Sequence, residues 1–305
     1  MLASLLPFCF ALLWASSYAA AKIGLADITP FAFVALRLAI AAALLLPLMR
    51  RSVWPVVASR WPHLLVGGAL VHGLALATTH AALVSVGAAP TALVHAFHPI
   101  LTAAHGVVLL GETFRWSQWA GVALGFFGVL VGVPLSAGSE ALGWLALSLV
   151  GLSGGTLYLK RFARDVPPLE ATAIQLVGGA LLAGLATASF ESAHVHWTAS
   201  FVAALAWNTL LMSIGGMALY NFILIHYGAG RAASSFFMVP GAAALVAWIV
   251  LGEHLSAFTL VGLAAASVGV ALVWWPAAAQ PPVRDAARQA LTSGTRRTGS
   301  PESAR

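Results

Sequence analysis

The chain has 305 residues, of which 60% are hydrophobic and 8% charged, with Lys+Arg 15 against Asp+Glu 9 and a pI near 10.2. Soluble domains carry about 25% charged residues, so the composition excludes one. With it fall the disordered, collagenous and disulfide-scaffold classes, since Gly 29 shows no triplet period and Cys9 is single.

A bilayer crossing takes roughly 20 residues, and the length accommodates about ten. Apolar stretches predict helices over 2–21, 31–49, 63–86, 90–110, 117–135, 142–160, 168–190, 202–226, 232–251 and 257–275. The first lacks a basic leader and outruns a signal core, so it reads as a spanning helix. The breaks hold turn-formers and charges: Asp27 to Pro30, Arg50-Arg51-Ser52, Gly87 to Pro90, Gly111-Glu112-Thr113 and Asp165 to Pro168. Pro in a first turn loses no helical hydrogen bond, and Gly ends a helix at little steric cost. After Trp274-Trp275-Pro276 the composition turns to Pro, Ala, Ser, Thr and Arg, and residues 277–305 read as a disordered cytoplasmic tail.

Basic residues accumulate on cytoplasmic loops. With the N-terminus inside, that side receives Arg50, Arg51, Arg60, Arg115, Lys160, Arg161, Arg164, Arg231 and the five arginines of the tail, against Lys22 alone outside. The expected topology therefore has both termini cytoplasmic in a cell inner membrane. The basic excess is a topology signal, with membrane lipids and no nucleic acid as partners.

The chain also repeats itself. Pro99, Gly111, Glu112, Gly121 and Gly128 recur 141 residues later as Pro240, Gly252, Glu253, Gly262 and Gly269. Lys22, Asp27 and Pro30 recur 138 residues later as Lys160, Asp165 and Pro168. The expected division is a first repeat over 1–136, a second over 137–276, then the tail. Five helices per half set the halves in opposite orientations, so Glu112 and Glu253 face opposite surfaces and form no carboxylate dyad. Inverted repeats mark secondary transporters, whose substrate sites lie near the midplane.

These residues carry a resemblance. Trp14 through Tyr18 with Lys22, then Pro30 through Arg37, resemble the opening of an EamA repeat; Pro99 through Glu112 with Gly121 and Gly128 resemble its close, and the second half repeats that close from Pro240 to Gly269. Over roughly residues 5–275 the chain is thus similar to the ten-helix EamA branch of the drug/metabolite transporter superfamily. The resemblance implies an all-α membrane carrier exporting amino acids or similar metabolites, with a central cavity lined mainly by helices 1, 3, 4, 6, 8 and 9.

Ionisable groups within spans cost enough to invite functional readings. Arg37 either holds a substrate carboxylate or pairs with a helix end or with Asp27. His95, His98 and His105 fall on one stripe of the fourth helix, and His72 and His80 on one side of the third. They are candidates for substrate contact (His72, His95, His98) and proton coupling (His95, His98, His105), against ordinary helix packing. A metal site is not expected, because no Cys, Asp or Glu joins the stripe, and no cofactor or catalytic residue is assigned. His194 and His196 fall in a loop and read as solvated. Trp14, Tyr18, Tyr158, Asn208, Tyr220, Asn221, Ser234, Ser235 and Phe237 are candidate contacts for an amphiphilic solute.

Pro99 and Pro240, each placed near mid-span, are candidate hinges. Glycines 121, 125, 128 and 132 form a ridge for close approach to a neighbour, in the same chain or in a homodimer. Glu112 and Glu253 read as carboxylates stabilised near a following helix's N-terminus. Without a Walker sequence, ATP drive is not expected. The reading is a non-enzymatic metabolite exporter. The alternatives are lipid-linked sugar or nucleotide-sugar transport, and, from another class, a His-dependent membrane enzyme or metal sensor.

Overall fold

A computed structural model describes residues 2–110, 115–134, 138–163, 165–192, 194–227 and 229–274. Side chains are described throughout these except at 2–4, 103, 106, 108–110, 221, 224, 225, 227, 229–237 and 274. Among the described residues the chain is helical, with one isolated bridge between Ile28 and Val195.

The helices are α1 (Leu2–Gly24), α2 (Pro30–Leu45), α3 (Trp54–Gly68), α4 (Ala75–Ser85), α5 (Ala88–Ala96), α6 (His98–Leu110) and α7 (Trp116–Gly132). They continue as α8 (Gly138–Phe162), α9 (Pro168–Phe190), α10 (Ala199–Ala206), α11 (Met217–Tyr227), α12 (Ala229–Leu251) and α13 (Ala257–Trp274). Wider π-helical turns join α3 to α4 (Ala69–Leu74) and α10 to α11 (Trp207–Gly216), so each pair runs on as one rod. These stretches begin 138 residues apart, the interval that separates Lys22 from Lys160. Six described helices are long and apolar enough to cross a membrane, and Trp116–Gly132, Met238–Leu251 and Ala257–Val273 are shorter apolar ones.

Most predicted segments lie within a few residues of these bounds. The third starts nine residues earlier than expected: Pro55 occupies the first turn of α3 and Pro62 is carried inside it. The fourth segment is interrupted at Phe97, which divides α5 from α6. Pro99 therefore lies in the first turn of α6, where its missing N–H removes no helical bond, whereas Pro240 lies inside α12.

Hydrocarbon cannot satisfy a bare amide, so helix starts need partners. Two come from distant carboxylates. Glu191, just after α9, accepts from Phe31 N (2.9 Å), Ala32 N (3.0 Å) and the Thr29 hydroxyl (2.7 Å), capping α2. Glu253, just after α12, accepts from Ala88 N (2.8 Å) and Ala89 N (3.4 Å), capping α5. The cap expected from Glu253 thus forms on a helix of the other sequence half rather than on α13. At the opposite ends of these helices Glu170, fully buried in the first turn of α9, accepts from Arg50 Nε at 3.0 Å. That hydrogen bond and the carboxylate's charge push the Arg50 guanidinium above its ordinary range.

Packing follows small residues. Ala15, Ala21, Ala88, Ala89, Ala92, Ala243, Ala244 and Ala247 form the heart of the largest core cluster, where α1, α5 and α12 meet. Outward faces carry exposed large apolar side chains such as Leu181, Leu185, Ile249 and Phe258, as contact with lipid tails requires. The glycine ridge of α7 packs on α13 of the same chain, against Gly262 and Gly269. That resolves its partner: the ridge is consumed within the molecule. Further, α2 packs on α9, α1 on the α10–α11 rod and α12, and α8 on the α3–α4 rod and α6.

A Cβ at Gly128 would stand 2.7 Å from the Gly262 carbonyl oxygen and 2.8 Å from Ala266 N, whereas one at Gly184 meets nothing within 4 Å. Gly128→Ala should therefore destabilise the protein by about 1–3 kcal/mol through overpacking. Gly184→Ala should be neutral or gain up to about 1 kcal/mol of helix propensity. Thermal unfolding of the purified variants in detergent measures both.

Candidate functional site

The α1, α5–α6, α8 and α12 helices and the two π-containing rods surround a cavity of about 490 Å³. Its wall draws on the six helices implied by the family resemblance, joined by Arg37 from α2 and Leu176 from α9. Trp14, Tyr18 and Tyr220 supply aromatic surface. The polar groups comprise Ser17, Arg37, His72, Thr79, His80, His95, His98, Thr102, Thr156, Ser213 and, at the C-terminal end of α8, Lys160.

One hydrogen-bond chain crosses the wall from α1 to α8. Trp14 Nε1 donates to the Tyr18 hydroxyl at 3.2 Å, and that hydroxyl lies 2.8 Å from His95 Nδ1. His95 Nε2 lies 3.0 Å from both Thr79 Oγ1 and Ser148 Oγ. Those two hydroxyls have already donated their protons to the carbonyls of Ala75 (2.6 Å) and Leu145 (2.7 Å). A hydroxyl has one proton to give, so Nε2 is the donor to both and Nδ1 accepts from Tyr18. The imidazole is neutral, with both nitrogens occupied. In this arrangement His95 positions three helices around the cavity, and a proton on Nδ1 would reverse the Tyr18 bond, making the imidazole its donor.

Arg37 is 5% exposed and meets neutral partners: Nε donates to Ser213 Oγ at 2.9 Å and Nη1 to Asn208 Oδ1 at 3.0 Å. Asn208 is in turn fixed by its own amide, which donates to the Ala204 carbonyl at 3.1 Å. Both partners lie on the π-helical Trp207–Gly216 stretch, whose irregular turns bring two groups onto one guanidinium. Asp27, the carboxylate considered for Arg37, accepts instead from the Thr198 hydroxyl at 2.6 Å.

His80 lies one turn beyond Leu76, and its Nδ1 donates to the Leu76 carbonyl at 2.7 Å, leaving Nε2 as a bare acceptor. That nitrogen, like Nε2 of His72, has no hydrogen-bond partner among the described groups.

Next to the cavity-lining Ala21 the helix ends are held together. Lys22, at the end of α1, donates to the Val86 carbonyl at 3.0 Å and stands 3.8 Å from Glu253. Glu253 in turn holds the first amides of α5, so the ends of α1 and α12 and the start of α5 are tied together. Among the described residues no three His, Cys, Asp or Glu side chains converge as a metal-ligating group.

The model of the EamA-like transporter family matches residues 1–133 and again 140–275. The chain belongs to that family. It is a transporter of the drug/metabolite superfamily and a multi-pass membrane protein, and such a carrier works on a small molecule in a lipid environment. The uncharacterised transporter YvbV of Bacillus subtilis is 27% identical over 280 residues, covering 86% of this chain and 88% of that protein. A probable terminal-alkyne amino-acid exporter of Streptantibioticus cattleyicolor is 27% identical over 202 residues, covering 62% and 65%. A protein crystal structure matches the fold with a TM-score of 0.61 at 24% identity, over 89% of this chain and 96% of that one.

Of the candidate contacts in this EamA transporter, Trp14, Tyr18, His72, His95, His98 and Tyr220 line the cavity, as does Pro99. Tyr158 does not: its hydroxyl meets His63 Nδ1 at 2.8 Å, and its ring packs on His63 and Phe162 toward α3. Asn208 stands behind Arg37 rather than on the wall. His105 pairs with Ser153 Oγ at 2.5 Å and lies off the cavity, two turns along α6 from the cavity-lining His98. His98 approaches Thr156 Oγ1 at 3.5 Å. The side chains of Asn221, Ser234, Ser235 and Phe237, and Glu112 altogether, lie outside the described residues. His194 and His196 are exposed, as expected. The sequence candidates omitted Thr79, Ser148 and Ser213, hydroxyl groups without a mark in the pattern. Arg37, read from the sequence as either a substrate-carboxylate holder or a structural pair, lines the cavity, as does His80, which was given no role there.

If the Lys22–Glu253 contact closes the cavity beside Ala21, Glu253→Ala should open it. With Cys9→Ser as background, a cysteine replacing Ala21 should react with a membrane-impermeant thiol reagent added on that side at least about fivefold faster in Glu253→Ala, equivalent to roughly 1 kcal/mol. An unchanged labelling rate would remove the closure role.

Proposed function

We propose that this transporter is a secondary carrier that exports amino acids or related small metabolites across the cytoplasmic membrane by alternating access. Its ten crossing segments form two inverted five-helix repeats, 1–136 and 137–276. The carrying observation is the cavity itself: aromatic walls and a few fixed polar groups, set between elements from both parts of the sequence, beside helix ends that Lys22 and Glu253 hold together. A cavity of about 490 Å³ falls in the range of small-molecule sites.

Three features support the repeat. The family model matches twice. The π-helical stretches fall at the repeat interval. The packing is reciprocal: α7 on α13 and α2 on α9 pair like with like, while the contacts of α1 with the α10–α11 rod and α12 mirror those of α8 with the α3–α4 rod and α6. The basic loops put the Arg50, Arg60 and Lys160 end in the cytoplasm and the Lys22–Glu253 end outside, with both termini inside. On that orientation the tied helix ends are external, and substrate enters from the cytoplasm.

An amino-acid cargo is supported by the Streptantibioticus relative, a probable terminal-alkyne amino-acid exporter, and by the amphiphilic wall. Proton exchange remains a reading for His98, which lacks the interlocked partners of His95, and for His105. The break at Phe97 just before Pro99 and the proline inside α12 at Pro240 are the proposed hinges.

Proteoliposomes loaded with a labelled amino-acid and metabolite panel test the reading. Saturable, protein-dependent efflux is the expected result. Acceleration by an imposed pH gradient at clamped electrical potential would add proton exchange; indifference to it would leave a uniporter or metabolite exchanger. Folded, inserted protein that moves nothing in the panel would shift the reading to lipid-linked sugars.

A further inference from the structure

The acidic residues of the whole sequence are Asp27, Glu112, Glu140, Asp165, Glu170, Glu191, Glu253, Asp285 and Glu302. The described ones lie at helix ends or in the segments between helices, and five of them are committed there. Asp27 binds Thr198, Asp165 binds Arg60, Glu170 binds Arg50, Glu191 caps α2 and Glu253 caps α5. None falls in the middle of a spanning segment. Arg37 does, eight residues into α2, with its guanidinium on the cavity wall.

Arginine does not shed its proton in a protein, so a fixed positive charge stands in the cavity with only an amide and a hydroxyl for company. Its Nη2 makes no hydrogen bond among the described residues. A desolvated charge without a partner costs far more than a paired one. A monoanionic solute neutralises the Arg37 guanidinium, whereas a zwitterion leaves its charge as it found it and a cation adds to it; Lys160, the other cation on the wall, stands exposed at the C-terminal end of α8.

The second observation concerns hydrogen-bond polarity. His80 is 3% exposed and faces the same cavity with Nε2 unpartnered and Nδ1 committed to the Leu76 carbonyl, so it can only accept. Its complement is an N–H or O–H donor on the solute.

Resting on the transporter reading above, we infer that the cargo is a net-anionic carboxylate, an N-acylated amino acid or a 2-hydroxy acid rather than a free amino acid, with its carboxylate on Arg37 and its N–H or O–H on His80 Nε2. The planar guanidinium offers two parallel N–H donors to a carboxylate, a geometry that an ammonium group lacks. Aromatic surface from Trp14 and Tyr220 receives the apolar remainder.

Binding and movement are measured separately, so that the two readings fail separately. Purified protein in detergent at neutral pH is titrated with four leucine derivatives: L-leucine, N-acetyl-L-leucine, its uncharged methyl ester, and 2-hydroxy-4-methylpentanoate. Calorimetry should show both anions binding at least about tenfold more tightly than leucine or the ester, the margin of one charge-assisted hydrogen-bond pair. Arg37→Gln should erase that preference. Arg37→Lys, which keeps the charge and loses the fork, should retain only part of it. His80→Leu should weaken the two anions toward plain 4-methylpentanoate, which lacks the donor and should itself bind alike to both proteins.

Tighter binding of leucine than of the anions, no binding of either anion, or an anion preference that survives in folded Arg37→Gln would each overturn the inference. Anions that bind as expected but fail to cross in proteoliposomes leave the inference standing and count against the transport reading.

Discussion

Everything in this fold answers to the hydrocarbon's inability to hydrogen-bond. Helices satisfy their own interiors, so the debt collects at their ends. The chain settles it with carboxylates from elsewhere in the sequence: Glu191 on α2 and Glu253 on α5. These contacts join segments about 160 residues apart, so backbone satisfaction and tertiary assembly are the same event. The placement of acids at helix ends follows, and so does the isolation of the one arginine that lies deep in a span.

The cavity wall is built by two different kinds of polar chemistry. Around His95 every donor has an acceptor, and the direction of each bond can be traced from Trp14 to the carbonyls of Ala75 and Leu145. Such saturated networks rigidify. Arg37 and His80, both on the cavity wall, have incomplete bonding: Nη2 of the first and Nε2 of the second have no partner among the described residues. One region is fixed architecture and the other has capacity left over. Counting imidazoles does not separate them; following the protons does.

Much of this was legible beforehand. Period, prolines and loop charges located most of the helices within a few residues, the third excepted, and Lys22, Pro30 and Glu112 recur at fixed intervals along the sequence. The misses have physical causes. A π-helical turn adds a residue to the turn, so the face carrying Ser213 does not follow from a 3.6-residue period. Phe97 ends α5 within an unbroken apolar run, and His95 and His105 stand on different helices. Tyr158 sits where a cavity residue was expected, but a histidine from α3 claims its hydroxyl. Partners contributed from distant segments leave no local trace.

The glycine seam between α7 and α13 has a mechanical meaning. Carbonyl oxygens of Gly262 and Gly128 stand where side chains would otherwise keep the two helices apart, and contact at that range leaves no room for rotation of one helix against the other. The pair therefore behaves as a fixed post, one leg from the middle of the sequence and one from its later part. In the proposed carrier, rearrangement around the cavity falls instead to the alanine-faced contacts of α1, α5 and α12, whose smooth surfaces can slide without unlocking larger side chains.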